Sequence, residues 1–246
     1  MNKVIETMKN HRSIRNYTNE DVSEEIINEL VNVAQAAPNS INGQQTSLLV
    51  IKDKDTKEKL AELTGGQTWV AAAPVFFIFI ADFYKIKVAS EITKLPMNIT
   101  ESVEAIMVAS VDAGLSAENL MTAAESLGLG IVPIGGIRKN PDEVIKLLGL
   151  PKYTFPILGV AVGYPLDNSK LKPRMPKTAY RHNEKYNKEN IKDTIIEYDK
   201  EMADYLKDIG RTQEVNWSTQ TMNIYQYNYY PKVYPVLKDQ GFENRK

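Results

Sequence analysis

From Glu101 to Leu127 the chain holds no proline and only one glycine, Gly114, while Ala, Val, Met and Leu recur on nearly every helical face. A helix that is apolar all round is buried. This segment is therefore expected at the centre of the protein or of a dimer interface, with the rest of the chain built around it.

The flanking segments alternate in character. Val4–Lys9 reads as a short helix that exits into His11-Arg12-Ser13-Ile14-Arg15-Asn16-Tyr17. A second helix is expected from near Asp21 as cap, with Glu24 at the capping-box spacing and Glu25 in the acidic first turn. Ile27, Leu30, Val31 and Ala34 give it helical spacing, and Pro38 stops it. After a loop over Asn39–Gln45 come a strand at Ser47–Ile51, an amphipathic helix at Thr56–Leu63 closed by Gly65-Gly66, and a fully buried strand at Val75–Ala81. Gly130–Ile134 reads as a strand ending in Gly135-Gly136. Asn140-Pro141-Asp142-Glu143 reads as a capped helix start, and Phe155–Val162 as another apolar strand. Interleaved helices and strands give an α/β or α+β domain.

Beyond Gly163 the pattern changes. Residues 164–188 are extended, proline-containing and basic, and seven of the 13 tyrosines lie at or beyond Tyr198 in a helical tail. Few apolar periods run uninterrupted there, so the tail is expected to embrace another surface rather than form its own core.

Composition excludes several chemistries. Without cysteine there is no disulfide, no thiol nucleophile and no Cys-ligated metal. His11 and His182 are the only histidines, too few for a multi-histidine metal site. The 30 basic and 31 acidic residues balance, which argues against a nucleic-acid partner. The longest apolar run, Trp69–Ala81, contains Pro74 and falls well short of the roughly 20 residues of a membrane helix. The start, Met1-Asn2-Lys3-Val4-Ile5-Glu6, lacks the apolar stretch of a signal peptide, so a soluble cytoplasmic protein is expected.

Four clusters remain that could carry function. His11, Arg12, Ser13 and Arg15 group cations with a hydroxyl, a set that suits phosphate and equally a solvated helix exit. Lys172-Pro173-Arg174 places two cations on one side of an extended segment, facing an anion or simply solvent. Ser40 and Gln44 stand in an amide-rich loop, fit to read the edge of a polar ring or merely to turn the chain. Pro133-Ile134-Gly135-Gly136 ends a strand in bare backbone that a ligand can approach closely. Gly128-Leu129-Gly130 closes a helix where a dinucleotide fingerprint would open one, so a Rossmann site is rejected. Together the clusters suit a phosphorylated, planar cofactor without identifying it.

The string from His11 to Tyr17 resembles the N-terminal signature of the nitroreductase family of FMN enzymes. Thr64-Gly65-Gly66-Gln67, Ala123-Ala124-Glu125-Ser126-Leu127-Gly128-Leu129-Gly130, Ile134-Gly135-Gly136-Ile137-Arg138, Leu171-Lys172-Pro173-Arg174 and Asn216-Trp217-Ser218 resemble its branch of oxygen-insensitive NADPH nitroreductases and NADPH–flavin reductases. The ordered motifs span about residues 3 to 245. The resemblance implies an α+β fold, a mixed sheet flanked by helices around a long central helix. It implies one domain over 1–246, whose C-terminal segment, about 164–246, wraps the partner of an intertwined homodimer with FMN at the interface. His11, Arg12, Ser13, Lys172 and Arg174 would hold the phosphate and ribityl end, and Arg15 the pyrimidine side. Ser40 and Gln44, from the partner chain, and Gln67 would bond to the ribityl chain or ring edge. Ile134, Gly135 and Gly136 would lie against the ring, with a backbone N–H near N5.

The implied activity is two-electron, ping-pong hydride transfer from NADPH or NADH through flavin N5 to nitroaromatics, quinones or free flavin. No side-chain nucleophile and no metal is needed. Reductive dehalogenation on the same fold and non-catalytic flavin storage or redox sensing are the rival functions. Pro133 stands where the branch often has an aromatic residue. The loop from Lys207 to Glu214 carries less positive charge than the branch uses for the NADPH 2′-phosphate, leaving Lys207 and Arg211 as candidates. Ala89–Thr100, expected to border the acceptor space, has no recognisable pattern.

Overall fold

The computed structural model describes residues 2–213 and 215–243. Helix α1 (Lys3–Lys9) is capped by Asn2, whose side chain accepts from the Ile5 N–H. Helix α2 (Glu24–Gln35) is capped by Ser23 and not by Asp21. The Ser23 hydroxyl accepts from the Ile26 N–H, which puts both Glu24 and Glu25 in the first turn, beside the positive end of the helix.

Strand β1 (Thr46–Ile51), helix α3 (Lys54–Leu63), the short helix α4 (Thr68–Ala72), strand β2 (Val75–Asp82) and helix α5 (Tyr84–Thr93) follow. Helices α4 and α5 are not among the elements expected from apolar spacing. Both are short, and neither buries a continuous apolar face. Helix α6 (Glu104–Ser126) is the long helix; it leads into β3 (Gly130–Ile134), α7 (Pro141–Leu148) and β4 (Thr154–Gly163). Asn140 does not cap α7 with its side chain. Instead its Nδ2 donates to the Leu63 carbonyl at 2.9 Å and its Oδ1 accepts from Lys232 at 3.0 Å, tying the start of α7 to the end of α3.

The four strands form one sheet in the order β1-β2-β4-β3, with every ladder antiparallel. The parallel element of the expected mixed sheet is reduced to a single bridge between Ser13 and Ile131, at the outer edge of β3. Both faces of the sheet are covered, which explains why β2 is apolar at almost every position. Val75, Phe77, Phe79 and Ala81 point into a core shared with α2 and α6. Phe76, Ile78 and Ile80 point the other way, into a core with Leu60, Val70 and Val144 of α3, α4 and α7. Strand alternation divides the same run between two helical layers.

Helix α6 buries Ala105, Ala109, Ala113, Ala117, Leu120 and Ala124. The alanines let it lie close to α2 and the sheet. Burial on every face is not what one chain provides, however. Val103, Met107, Val111 and Leu115, spaced four apart on another flank, are between 41% and 61% exposed. A third line of residues is polar. Asp112, Ser116 and Asn119 all bond to backbone or side chain outside the helix, Ser116 to the Ala34 carbonyl at 2.8 Å and Asn119 to that of Val33 at 3.1 Å.

The chain divides into two compact units. The first runs to Ser169 and resumes at Tyr230; the second is Lys170–Tyr229. The second unit carries α8 (Lys177–Tyr180), α9 (Ile191–Asp208) and α10 (Trp217–Tyr225). It packs a small core of its own, with Tyr198, Met202 and Leu206 buried against Met175, Ile209 and Trp217. Its interrupted apolar spacing did not suggest that. Helix α11 (Val233–Asp239) belongs to the first unit, where Leu237 and Phe242 are buried and the Phe242 ring meets Phe83 edge-on, centroids 5.8 Å apart. The last part of the segment expected to wrap a partner thus completes its own chain's core.

Candidate functional site

Between His11 and Tyr17 the chain meets the outer edge of β3 at Ser13 and Ile14, and Tyr17 bridges Pro165 just past the end of β4. The Ile14 N–H donates to the Ile131 carbonyl at 2.9 Å, and the Tyr17 hydroxyl donates to the Ile14 carbonyl at 2.8 Å. Ile14 and Tyr17 are buried, and burial pushes the Tyr17 phenol well above its usual range while the Arg15 charge pulls weakly the other way. The approach is close because position 130 is glycine: a Cβ there would overlap the Ile14 side chain. With Ile14 turned inward, Ser13 and Arg15 face outward by strand alternation.

Each basic side chain in this stretch has a defined neighbour. His11 Nδ1 lies 2.8 Å from Glu125 Oε1, near the end of α6. Arg12 lines an open cleft of about 390 Å³ with Lys3, Glu125, Gly128 and Asn168. The Arg15 guanidinium carbon stands 5.4 Å from the Trp69 ring centroid, and Arg15 Nη1 reaches the Ser13 carbonyl at 3.4 Å.

Further along the same strand, Ile134 is buried and Gly135-Gly136 open a short 3-10 turn. Gln67 Nε2 donates to the Thr64 carbonyl at 2.8 Å. A Cβ on Gly136 would collide with both that nitrogen and that oxygen, so glycine is what lets Gln67 sit beside the strand end. Pro133 is exposed and pairs with Val160; an edge strand tolerates its missing N–H. The edge of β3 thus gathers His11, Arg12, Ser13, Arg15, Gln67, Ile134, Gly135 and Gly136.

Ser40 and Gln44 are not part of this gathering. Their loop leads into β1, the opposite edge of the sheet, with β2 and β4 in between. Three strand spacings amount to roughly 14 Å. The Ser40 N–H donates to both carboxylate oxygens of Asp112 at 3.2 Å, and the Gln44 N–H to Asn39 Oδ1 at 3.1 Å.

The remaining basic candidates lie in the second unit. Lys172 and Arg174 are exposed on either side of Pro173, whose carbonyl accepts from the Tyr198 hydroxyl at 2.8 Å. Burial raises the Tyr198 phenol pKa, and the nearby Arg174 charge opposes the shift. Lys207 and Arg211 flank the end of α9, where Gly210 adopts a positive φ of 77° and the Arg211 N–H returns to the Leu206 carbonyl at 2.8 Å. Glu214, the last residue of that loop motif, lies outside the described residues.

Sequence reasoning missed Asp112, Gln45, Glu125 and Trp69 as supporting groups. Asp112 shares its helix with Glu104, Glu118 and Glu125, so no local signal marked it as the buried carboxylate. Glu125 and Trp69 lay inside or beside the quoted motifs, but spacing did not say what they touch. Among the described residues no cluster of His, Asp and Glu could hold a metal, and no helix is long and apolar enough to cross a membrane.

Fold and donors define a class: an α+β protein with basic side chains, a hydroxyl and an amide along one edge of its sheet. The particular family follows from comparison with known proteins. The nitroreductase family model matches residues 8–164 and the model of that family's C-terminal domain matches residues 172–245, and this chain belongs to the nitroreductase family. It is 44% identical over 249 residues to the FMN reductase (NAD(P)H) of Bacillus subtilis (strain 168), with all of both chains covered. It is 35% identical over 246 residues to the oxygen-insensitive NADPH nitroreductase of Salmonella typhimurium, again over the full length of both. The solved structure of B. megaterium NfrA2 superimposes with a TM-score of 0.97 at 48% identity, covering 100% of each chain.

Proposed function

We propose that this chain is an FMN-dependent NAD(P)H oxidoreductase that works as a cytoplasmic homodimer. One observation carries the assignment. A row of cations, a hydroxyl and an amide converges on one sheet edge beside Trp69, while the matching Ser40–Gln44 loop stands on the other edge. The donor set fits FMN: guanidiniums and a hydroxyl for a phosphate, amide groups for a polar ring edge, and glycines where a flat ring must come close. Held there, FMN would supply two-electron hydride-transfer chemistry between NADPH or NADH and an acceptor such as a nitroaromatic, a quinone or free flavin.

The residues of the chain supply placement and charge. Arg12 and Ser13 bind the phosphate; Lys172 and Arg174 are the anion ligands that the second unit carries. His11, oriented by Glu125, assists them. Arg15, held against Trp69, sets a fixed positive charge at the pyrimidine side and so favours the reduced, more negative form. Gln67 and the Gly135-Gly136 backbone fix the ring edge. Lys207 and Arg211 meet the 2′-phosphate of NADPH.

A second copy of the chain completes the site. The uncovered stripe of Val103, Met107, Val111 and Leu115 on α6 is the kind of contiguous apolar surface that a partner covers. Pairing through α6 also brings in a partner copy's Ser40–Gln44 loop, since Asp112 of α6 holds that loop. The test is steady-state kinetics of the FMN-loaded protein with NADPH and nitrofurazone, and separately with free FMN. Parallel double-reciprocal lines with either acceptor are expected. Tight FMN with negligible NAD(P)H oxidation by any acceptor would instead mark a flavin-storage protein.

A further inference from the structure

We infer that Asp112 is a positioning residue for the flavin site, a buried latch that holds the Ser40–Gln44 loop in the conformation that serves the second subunit. The inference rests on the proposal that Ser40 and Gln44 act across the dimer.

Asp112 is 3% exposed although it is an acid on an apolar helix. Its hydrogen bonds come from amides. One oxygen accepts from the Ser40 N–H, and the other from both the Ser40 N–H and Gln45 Nε2, the latter at 2.5 Å. These bonds grip the loop at both ends, before and after its apex. Between them the backbone is strained. Ile41, Asn42 and Gln44 all adopt the left-handed region, with φ of 51°, 55° and 49°. For a β-branched residue such as Ile41 that conformation is an outlier, which the surroundings have to enforce.

Packing does not enforce it. Ile41 is 95% exposed, and a cavity of about 290 Å³ lined by Asn39, Gln44, Asp112 and Ser116 runs beside the loop. Gln45 contributes by threading its side chain against Gly43, where a Cβ would collide with Gln45 Oε1. The polar contacts to Asp112, the Asn39–Gln44 bond and the bond from the Gly43 N–H to the Ser40 carbonyl at 2.8 Å therefore maintain the shape. Replacing Asp112 by Asn turns one acceptor into a donor, which meets another donor at the Ser40 N–H or is accommodated at Gln45 only if that amide turns over and Oε1 leaves its place beside Gly43. The loop then relaxes toward ordinary dihedrals and withdraws Ser40 and Gln44 from the partner's cofactor.

The test uses the full-length, FMN-reconstituted protein, with FMN affinity from fluorescence quenching, the visible circular dichroism of the flavin, and mass from sedimentation. D112N is expected to keep the dimer mass, weaken FMN about tenfold, the size of one charge-assisted hydrogen bond, and alter the flavin dichroism. Q45E, which sets two carboxylates face to face, should weaken FMN at least as much. The double variant D112N/Q45E restores complementarity, with Asn Nδ2 donating to the new carboxylate and Asn Oδ1 accepting from Ser40. Its affinity should return to within about threefold of the parent. Should D112N fail to fold, recovery of a folded, FMN-binding dimer in the double variant supports the latch, and no recovery overturns it. The S40A/Q44A variant run alongside separates the two levels. If S40A/Q44A binds FMN weakly while D112N binds it like the parent, the latch is wrong and the action across the dimer stands. If S40A/Q44A binds FMN like the parent, the action across the dimer is wrong and the latch falls with it.

Discussion

At the scale of single residues, the β3 edge makes Arg15 the most informative side chain. It is exposed, its guanidinium carbon lies 5.4 Å from the Trp69 ring centroid, and among the described residues no carboxylate is hydrogen-bonded to it. Arg15→Ala is expected to weaken FMN at least about tenfold or to lower the flavin's two-electron potential. Titration with FMN and a potentiometric titration check it; unchanged affinity together with unchanged potential would remove Arg15 from the site. Gly136→Ala should displace Gln67 or the Thr64 turn, costing about 1–3 kcal/mol in thermal stability as well as cofactor. Changing both Lys207 and Arg211 to Ala should raise KM for NADPH severalfold and leave that for NADH alone, because only the former carries the extra phosphate. What the sequence made legible here were groups whose type is unusual in its place: paired arginines at a helix exit, two glycines closing a strand. Asp112 and Glu125 stayed illegible because their meaning lies in partners far off in the chain, Ser40 and His11 respectively.

At the scale of elements, α6 decides most. Its small buried residues seat it against α2 and the sheet, its polar line secures α2 and the loop, and its apolar flank stays exposed on the single chain, where the proposed homodimer would cover it. Each of those flank side chains is already about half buried, so covering the rest stabilises by roughly 1 kcal/mol apiece. A single charge in the middle of the flank should therefore disrupt pairing. Val111→Asp is expected to yield monomers in sedimentation that have lost FMN, while far-ultraviolet dichroism stays that of the folded chain. A V111D protein that remains dimeric would place the interface elsewhere. The strands and longer helices were legible from apolar spacing, and Pro141 and Gly65-Gly66 marked their boundaries well. The start of α2 was misplaced because Asp21 and Ser23 are both good caps, and only the fold selects Ser23. Helices α4 and α5 escaped notice because their stability comes from what they pack against rather than from periodicity.

At the scale of the whole molecule, the sequence announced an α+β protein but not the order of its strands. Placing β1 and β3 at opposite edges depends on long-range pairings through β2 and β4, which no local pattern encodes. That order has a functional consequence, since it separates the two halves of the proposed site within one chain. Global stability should carry the mark of the buried Tyr17 phenol. Its pKa is raised in the folded state, so its contribution is intact below the unfolded value of about 10 and is lost as pH rises beyond it. The melting temperature should fall above that pH, and less steeply in Tyr17→Phe, as scanning across alkaline pH would show. The most direct test of the function is an anaerobic absorbance titration of the purified, FMN-reconstituted protein with NADPH. Flavin bands that bleach in proportion to NADPH, with one flavin per chain, and that return on adding nitrofurazone are the expected result. A protein that takes up no FMN, or whose bound flavin stays yellow with both NADPH and NADH, would contradict the assignment as an FMN-dependent NAD(P)H oxidoreductase.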